Sequence, residues 1–485
     1  MSSTKTATTS AGLGLLGLIG IIISAMVGGG IFSLPHDMAS SASAGGILIA
    51  WVVTGIGMWF VVNTFRVLAD VRPNLTSGLY TYAESGFGRF MGFLIAWGYW
   101  ICNCFAIVAY AVLSMSTLNY FFPIFSGGNT VAAIAAGSVI IWVIFAITLV
   151  GPRRTSLINL VATIGKLIPI LMFIILVATV FKIGVFVNDF WGSGVSGAGF
   201  GGFDLSAVLD QVKNTMMVTL WVFIGIEGAV VVSRRALSQI LVRQATLIGF
   251  LATLSLYILV SALPLGLYPR EQLAEMPNPS MAAVLLRSFG EWGATVVNIG
   301  VLISVLASWL VWMMLLGEMP AAAARNGTFP TIFARENRHG TPWVSLLAAA
   351  IVIQVAFILT YFAADAWDLM YSITSVMSMP CYLLTTLFLV KLSSTGDYPE
   401  HALSKRKTAL TVGILGSIYG VWLLYAAEFD LVMAACLVYA VSVPLYVIAC
   451  RQHHPGRPVF APFERIILAV VIALGLAGAA YLLWA

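Results

Sequence analysis

Four places in this sequence set polar or aromatic groups inside long apolar runs, and each suggests a chemistry. The first is Ser24-Ala25-Met26-Val27-Gly28-Gly29-Gly30-Ile31-Phe32-Ser33-Leu34-Pro35. Three glycines in a row cost a helix roughly 1 kcal/mol each relative to Ala. They permit an unwound backbone whose free N–H groups can meet an anion such as a carboxylate. The other reading is a tight helix crossing built on small residues. The second place is Trp221-Val222-Phe223-Ile224-Gly225-Ile226-Glu227-Gly228, with an acid well inside an apolar run. Burying a carboxylate is costly unless it is paired or protonated. Glu227 is therefore a candidate proton site, gate or counter-charge, or else a structural tether. The third is Lys166, about 15 Å into its run and too deep for easy snorkelling. Its ammonium must face the protein interior, where it could stand in for a bound cation or simply hold structure. The fourth combines Trp309, Trp312 and Glu318. A Trp face attracts guanidinium or ammonium, by up to ~2 kcal/mol when desolvated, although mid-helix Trp is ordinarily core. Glu318 reads as interfacial.

The elements that must position these groups follow from composition. Of 485 residues, 60% are hydrophobic and 9% charged, against about 25% charged in a soluble domain. Most of the outside must face lipid. Segments of roughly 20 apolar residues, the length that crosses a bilayer as helix, lie near 11–35, 45–69, 92–122, 130–150, 156–182, 213–234, 240–267, 292–319, 343–363, 366–391, 408–427, 429–450 and 463–484. The expected fold is all-α integral membrane, with about thirteen helices and twelve as the alternative. The first and sixth are both glycine-interrupted and stand five apart. This is the pattern of a 5+5 inverted repeat with a site at the midplane. The expected organisation is a cytoplasmic N-terminus (1–10), a ten-helix core (11–391, repeats about 11–182 and 213–391) and accessory C-terminal helices (408–484).

The net charge of +5 does not point to nucleic acid, because Lys and Arg cluster in short loops between apolar runs. They gather at Arg153-Arg154, Arg234-Arg235 and Lys405-Arg406-Lys407, while Asp189, Asp204, Glu271, Glu275, Glu428 and Asp430 gather on the opposite side. That asymmetry places the N-terminus in the cytoplasm. No removable signal peptide is expected from the short polar start, Met1 to Ala11. The five cysteines lie in apolar segments without CxxC spacing and read as small hydrophobes. The histidines lie in loops without metal-ligand spacing. Two GxGxxG matches, at Gly12–Gly17 and Gly197–Gly202, follow no strand and carry no nucleotide site. No nucleophile–base constellation is visible. No enzyme activity, cofactor or metal is expected.

With these residues in view, the sequence resembles the amino acid–polyamine–organocation superfamily over roughly 10–485, and within it the basic amino acid/polyamine antiporters of the arginine/ornithine type. The resemblance is carried by MVGGGIFSLP (26–35), LINLVATIGKLIPI (157–170), WVFIGIEGA (221–229) and GEMPAAAARNGTFPTIFAR (317–335). It implies that amides of Gly28, Gly29 and Gly30 bind a substrate carboxylate. Carbonyls near Met26 and Ile224 would take the α-ammonium. Trp221 would gate the substrate, Trp312 would stack on its guanidinium end and Asn103 would contact its side chain. Glu227 would serve coupling or gating, and Lys166 would replace a sodium ion. The sequence departs from related exchangers at Gly29 (Ser there), Val222 (a small hydroxyl there) and Ala106 (Met there), which bears on side-chain preference. The expected function is one-for-one exchange of arginine for ornithine by alternating access. The alternatives are exchange against a decarboxylated amine, or a proton-coupled or uniport permease for neutral or aromatic amino acids. A sensor that binds without transport lacks a cytoplasmic output domain. The implied partners are amino acids or amines and the lipid bilayer, with a homodimer as an option. Short loops fit a bacterial inner membrane.

Overall fold

The computed structural model describes residues 15–75, 79–151, 155–195, 197–226 and 239–484. Among them, ten helices are long and apolar enough to cross a bilayer. The number is eleven when the bent pair Leu18–Ser24 and Gly29–Ser41 counts as one span. Two further expected spans are helical as well: Thr155–Thr179, whose apolar part includes Gly165–Thr179, and Leu205–Phe223. Each of the thirteen expected segments thus holds a helix among the described residues. The expected sixth span, 213–234, passes out of the described residues after Ile226, and Glu227 lies outside them.

In chain order the helices are α1 (Leu15–Met26), α2 (Leu34–Ser41), α3 (Ala44–Val71), α4 (Leu79–Phe87), α5 (Arg89–Leu118), α6 (Val131–Leu149), α7 (Thr155–Thr179), α8 (Ile183–Phe186) and α9 (Leu205–Phe223). They continue as α10 (Gln239–Ala262), α11 (Arg270–Ala274), α12 (Ser280–Phe289), α13 (Glu291–Arg325), α14 (Trp343–Leu359), α15 (Ala366–Ser394), α16 (Arg406–Ala426), α17 (Phe429–Val441), α18 (Val443–His453) and α19 (Pro462–Trp484). Burial ranks them. Of the apolar window of α5, 83% is buried, against 11% for α19, so α5 is central and α19 peripheral. Around α5 pack α13, α14 and α15; α7 lies along α13, α1 along α10, and α3 along α9. α16 packs on α15 and α3, whereas α17 and α19 pack chiefly on each other.

Two boundaries differ instructively from the expected ones. The eighth span runs on to Arg325 rather than ending near 319. At 35 residues it is about 52 Å long, well over the roughly 30 Å hydrocarbon core. Pro320 lies inside it, and the Ala-rich turn beyond holds helix into the polar zone. The twelfth span, Phe429–His453, is one crossing interrupted at Ser442 ahead of Pro444. A proline removes the backbone donor that a continuous helix would need there.

Candidate functional site

The site begins with a backbone that stops being helical. Gly28 takes φ −96°, ψ −155°, and its N–H turns back to the Met26 carbonyl at 2.9 Å. A 3₁₀ turn, Gly29–Ser33, then runs directly into α2, and the axis bends by 57° across the break. The first amides of a helical segment have no acceptor within it, so the new segment presents donors at the break. On the other side of the break stand carbonyls of α1. Lys166 of α7, 2% exposed, donates from Nζ to Ser24 O at 2.9 Å and Val27 O at 2.8 Å. Carbonyl dipoles satisfy this buried ammonium, and no ion pair to it occurs among the described residues.

The second break is at the end of α9. Ile224 is extended (φ −60°, ψ 133°) and Gly225 has φ +105°, a conformation that glycine adopts without the steric cost of a Cβ. Tyr257 of α10 ties the two breaks together. Its hydroxyl lies 2.8 Å from Met26 O and 2.6 Å from Val222 O. One hydroxyl proton serves both carbonyls.

Between the breaks lies a narrow cavity. Eight of the ten residues singled out in the sequence line it: Met26, Gly28, Gly29, Gly30, Asn103, Trp221, Ile224 and Trp312. Lys166 stands behind the first break instead. Ala106 and Val222, the two departures on α5 and α9, also line the space, as do Ile31 and Tyr110. Sequence reasoning did not nominate Tyr110 or Tyr257. Tyr110 carried a signal, because Asn103, Ala106 and Tyr110 are i, i+3 and i+7, one face of a helix. Tyr257 carried a weaker one, a hydroxyl midway along an apolar run.

Among the described residues, none of the lining side chains is charged. Asn103 donates from Nδ2 to Tyr99 O at 2.7 Å, which leaves Oδ1 as an acceptor, buried and without a partner. The Trp221 indole N–H is likewise buried without a partner. Buried polar atoms are ordinarily hydrogen-bonded, so two orphans in one cavity fit a place for a polar ligand. The Met26 carbonyl, by contrast, already accepts from Gly28 and Tyr257. Trp309 is core, fully buried beside Trp312 on α13. Glu318 is exposed and 3.7 Å from Arg325, as an interfacial acid would be.

Aromatic rings close the space on the α2 side. Trp221 meets Tyr110 and Trp367 edge-on, each with ring centroids 6.3 Å apart. Trp367 donates from Nε1 to the buried Asp37 carboxylate at 3.1–3.2 Å, and His36 Nδ1 lies 2.9 Å from the same carboxylate. Toward the other ends of α5 and α13 is a second cavity, lined by residues that include Ile95, Tyr99, Met319 and Pro320.

Comparison with known proteins agrees in kind. The amino acid permease family matches residues 13–450. A Clostridium perfringens protein named for amino-acid transport is 51% identical over 472 residues, covering 97% of this chain and 98% of that protein. The arginine/agmatine antiporter of Chlamydia abortus is 47% identical over 465 residues, 96% of this chain and 95% of its own. The arginine/agmatine antiporter of Chlamydia pneumoniae is 47% identical over 469 residues, 96% of each.

Proposed function

The chain belongs to the amino acid permease family, and from that premise we propose that it is a membrane antiporter. It exchanges a basic amino acid, arginine, for ornithine or for the decarboxylated amine agmatine, by alternating access. The observation that carries this reading is the cavity's chemistry. It offers an unpartnered amide oxygen, Asn103 Oδ1, and the rings of Trp312 and Trp221, opposite the start of a helical segment. A carboxylate fits the Gly29 and Gly30 amides. An α-ammonium fits the carbonyl end of α9 at Ile224. A guanidinium, with five N–H donors and no acceptor, fits Asn103 Oδ1 and stacks on Trp312, for up to ~2 kcal/mol. Names of relatives favour agmatine as a counter-substrate, while the sequence resemblance favours ornithine. Ala106 and Val222 in the lining give an apolar wall that suits either.

The two breaks, five spans apart, support the inverted repeat and a rocking motion about the cavity. We place the N-terminus in the cytoplasm of a bacterial inner membrane, from the Lys and Arg asymmetry. The Trp221–Trp367 seal is then the outer one, and the second cavity lies on the inner path. Lys166 fills the role of a fixed cation behind the first break. Glu227 is assigned to coupling or gating. Arginine and ornithine each carry one net positive charge at neutral pH, so their exchange moves none. Agmatine carries two, so its exchange for arginine moves one.

The test is uptake of labelled arginine into proteoliposomes preloaded with ornithine, agmatine, arginine or buffer. Uptake that requires an internal substrate and ignores a proton gradient supports the antiporter, and the interior that drives it identifies the pair. Equal uptake into empty and loaded vesicles sinks the exchange reading and favours a permease.

A further inference from the structure

Tyr110 is a polar lining residue with no part in the scheme above, and its position gives it one. Its hydroxyl stands at the first break, beside Gly28 and Gly29, whose amides are among the donors expected for the substrate carboxylate. A Cβ on Gly28 would lie 2.9 Å from the hydroxyl oxygen, so the ring reaches fully into the break. The Trp221 indole N–H, unpartnered and buried, belongs to a ring packed edge-on against Tyr110. A Cβ on Gly30 would stand 2.5 Å from that indole nitrogen. The Tyr110 hydroxyl and the Trp221 indole N–H therefore both stand at the glycine break.

We infer that Tyr110 is a specificity-determining residue that reads the α-carboxylate: its oxygen holds the Gly29 amide in the empty site and yields it to the carboxylate, to which its own O–H then donates. A hydroxyl can accept and donate through the same oxygen, so the exchange needs only rotation of the O–H and a small shift of the ring. When the ligand is a decarboxylated amine, Tyr110 stays on Gly29 and no buried donor is stranded. Loading with either class of substrate thus leaves the Gly29 amide with a partner. The inference rests on the proposed exchange of an amino acid or its amine at this cavity, and it adds a residue that distinguishes the two.

The test compares binding of arginine and agmatine to the purified full-length protein, wild type and Tyr110→Phe, with argininamide as a ligand of intermediate acceptor strength. A bond to a charged acceptor outweighs the neutral bond it replaces. Tyr110→Phe is therefore expected to lower the ratio of arginine to agmatine affinity by about tenfold, with a smaller drop for argininamide. Replacement of Tyr110 by 3-fluorotyrosine, nearly isosteric and a stronger donor, should raise the ratio. A ratio that does not move, or that rises in Tyr110→Phe because the ring was only a plug, overturns the inference. A wild type that binds neither arginine nor agmatine overturns the functional reading and this inference with it. A wild type that binds both, with the ratio unmoved in the variants, overturns this inference alone.

Discussion

Lys166 and Tyr257 act on the breaks through backbone carbonyls, and neither needs an acid to do so. Replacing Lys166 by Met keeps the volume and removes the donor to Ser24 O and Val27 O. A stranded buried acceptor costs roughly 1–3 kcal/mol. The expected outcome is a lower thermal midpoint of the purified protein and a loss of arginine uptake; unchanged uptake would show that the ammonium is dispensable. Tyr257→Phe should be milder, because one proton is shared between two acceptors, and should change the uptake rate more than the binding of arginine. Trp312→Ala tests the cation face. If stacking supplies up to ~2 kcal/mol, arginine affinity falls by up to about thirtyfold, and an affinity within twofold of wild type would remove Trp312 from the tail site.

At the scale of the element, the glycines of the first break are placed by what they touch. A Cβ on Gly30 would stand 2.5 Å from the Trp221 indole nitrogen and 3.0 Å from Val222 Cγ1. Gly30→Ala must displace the Trp221 ring and Val222 or part the two broken spans. It is expected to abolish arginine binding while the far-ultraviolet circular dichroism stays helical. Retained binding would mean that this adjustment comes without cost. The breaks themselves were legible in the sequence, because consecutive glycines inside an apolar span weaken the helix where lipid otherwise demands one. So were eight lining residues, most of them on the two broken spans. Tyr110 was legible only as a neighbour of Asn103 and Ala106 on one helix face; its role depends on α5 facing the first break, a packing relation absent from local pattern. The satisfied state of Met26 was equally hidden, since it depends on a hydroxyl from α10. The continuation of α13 past Pro320 was missed because the charged Glu318 marks the bilayer boundary and not the helix end. Glu227 lies beyond the described residues, and its role rests on the sequence alone.

At the scale of the whole molecule, the charge carried by each substrate becomes measurable. Exchange of arginine for agmatine moves one charge, and 100 mV across the membrane acts on it with ~2.3 kcal/mol. Such a potential, imposed with potassium and valinomycin, should shift the equilibrium gradient ratio by about fiftyfold. Exchange of arginine for ornithine should not respond. A response of the ornithine exchange would show that a further ion moves with it. The periphery also reaches the centre. Glu464, near the start of α19 and 2% exposed, accepts from Phe90 N at 2.9 Å in the first turn of α5 and from Ala461 N at 2.8 Å. Glu464→Ala should lower the thermal midpoint by stranding those amides, at roughly 1–3 kcal/mol each. The two ends of the Phe90 contact are 374 residues apart in the chain. A ribosome adding about 5–20 residues per second needs roughly 20–75 s to cover that distance. For that interval the central helix of the newborn protein waits in the membrane with its first turn uncapped, until α19 is made and completes it.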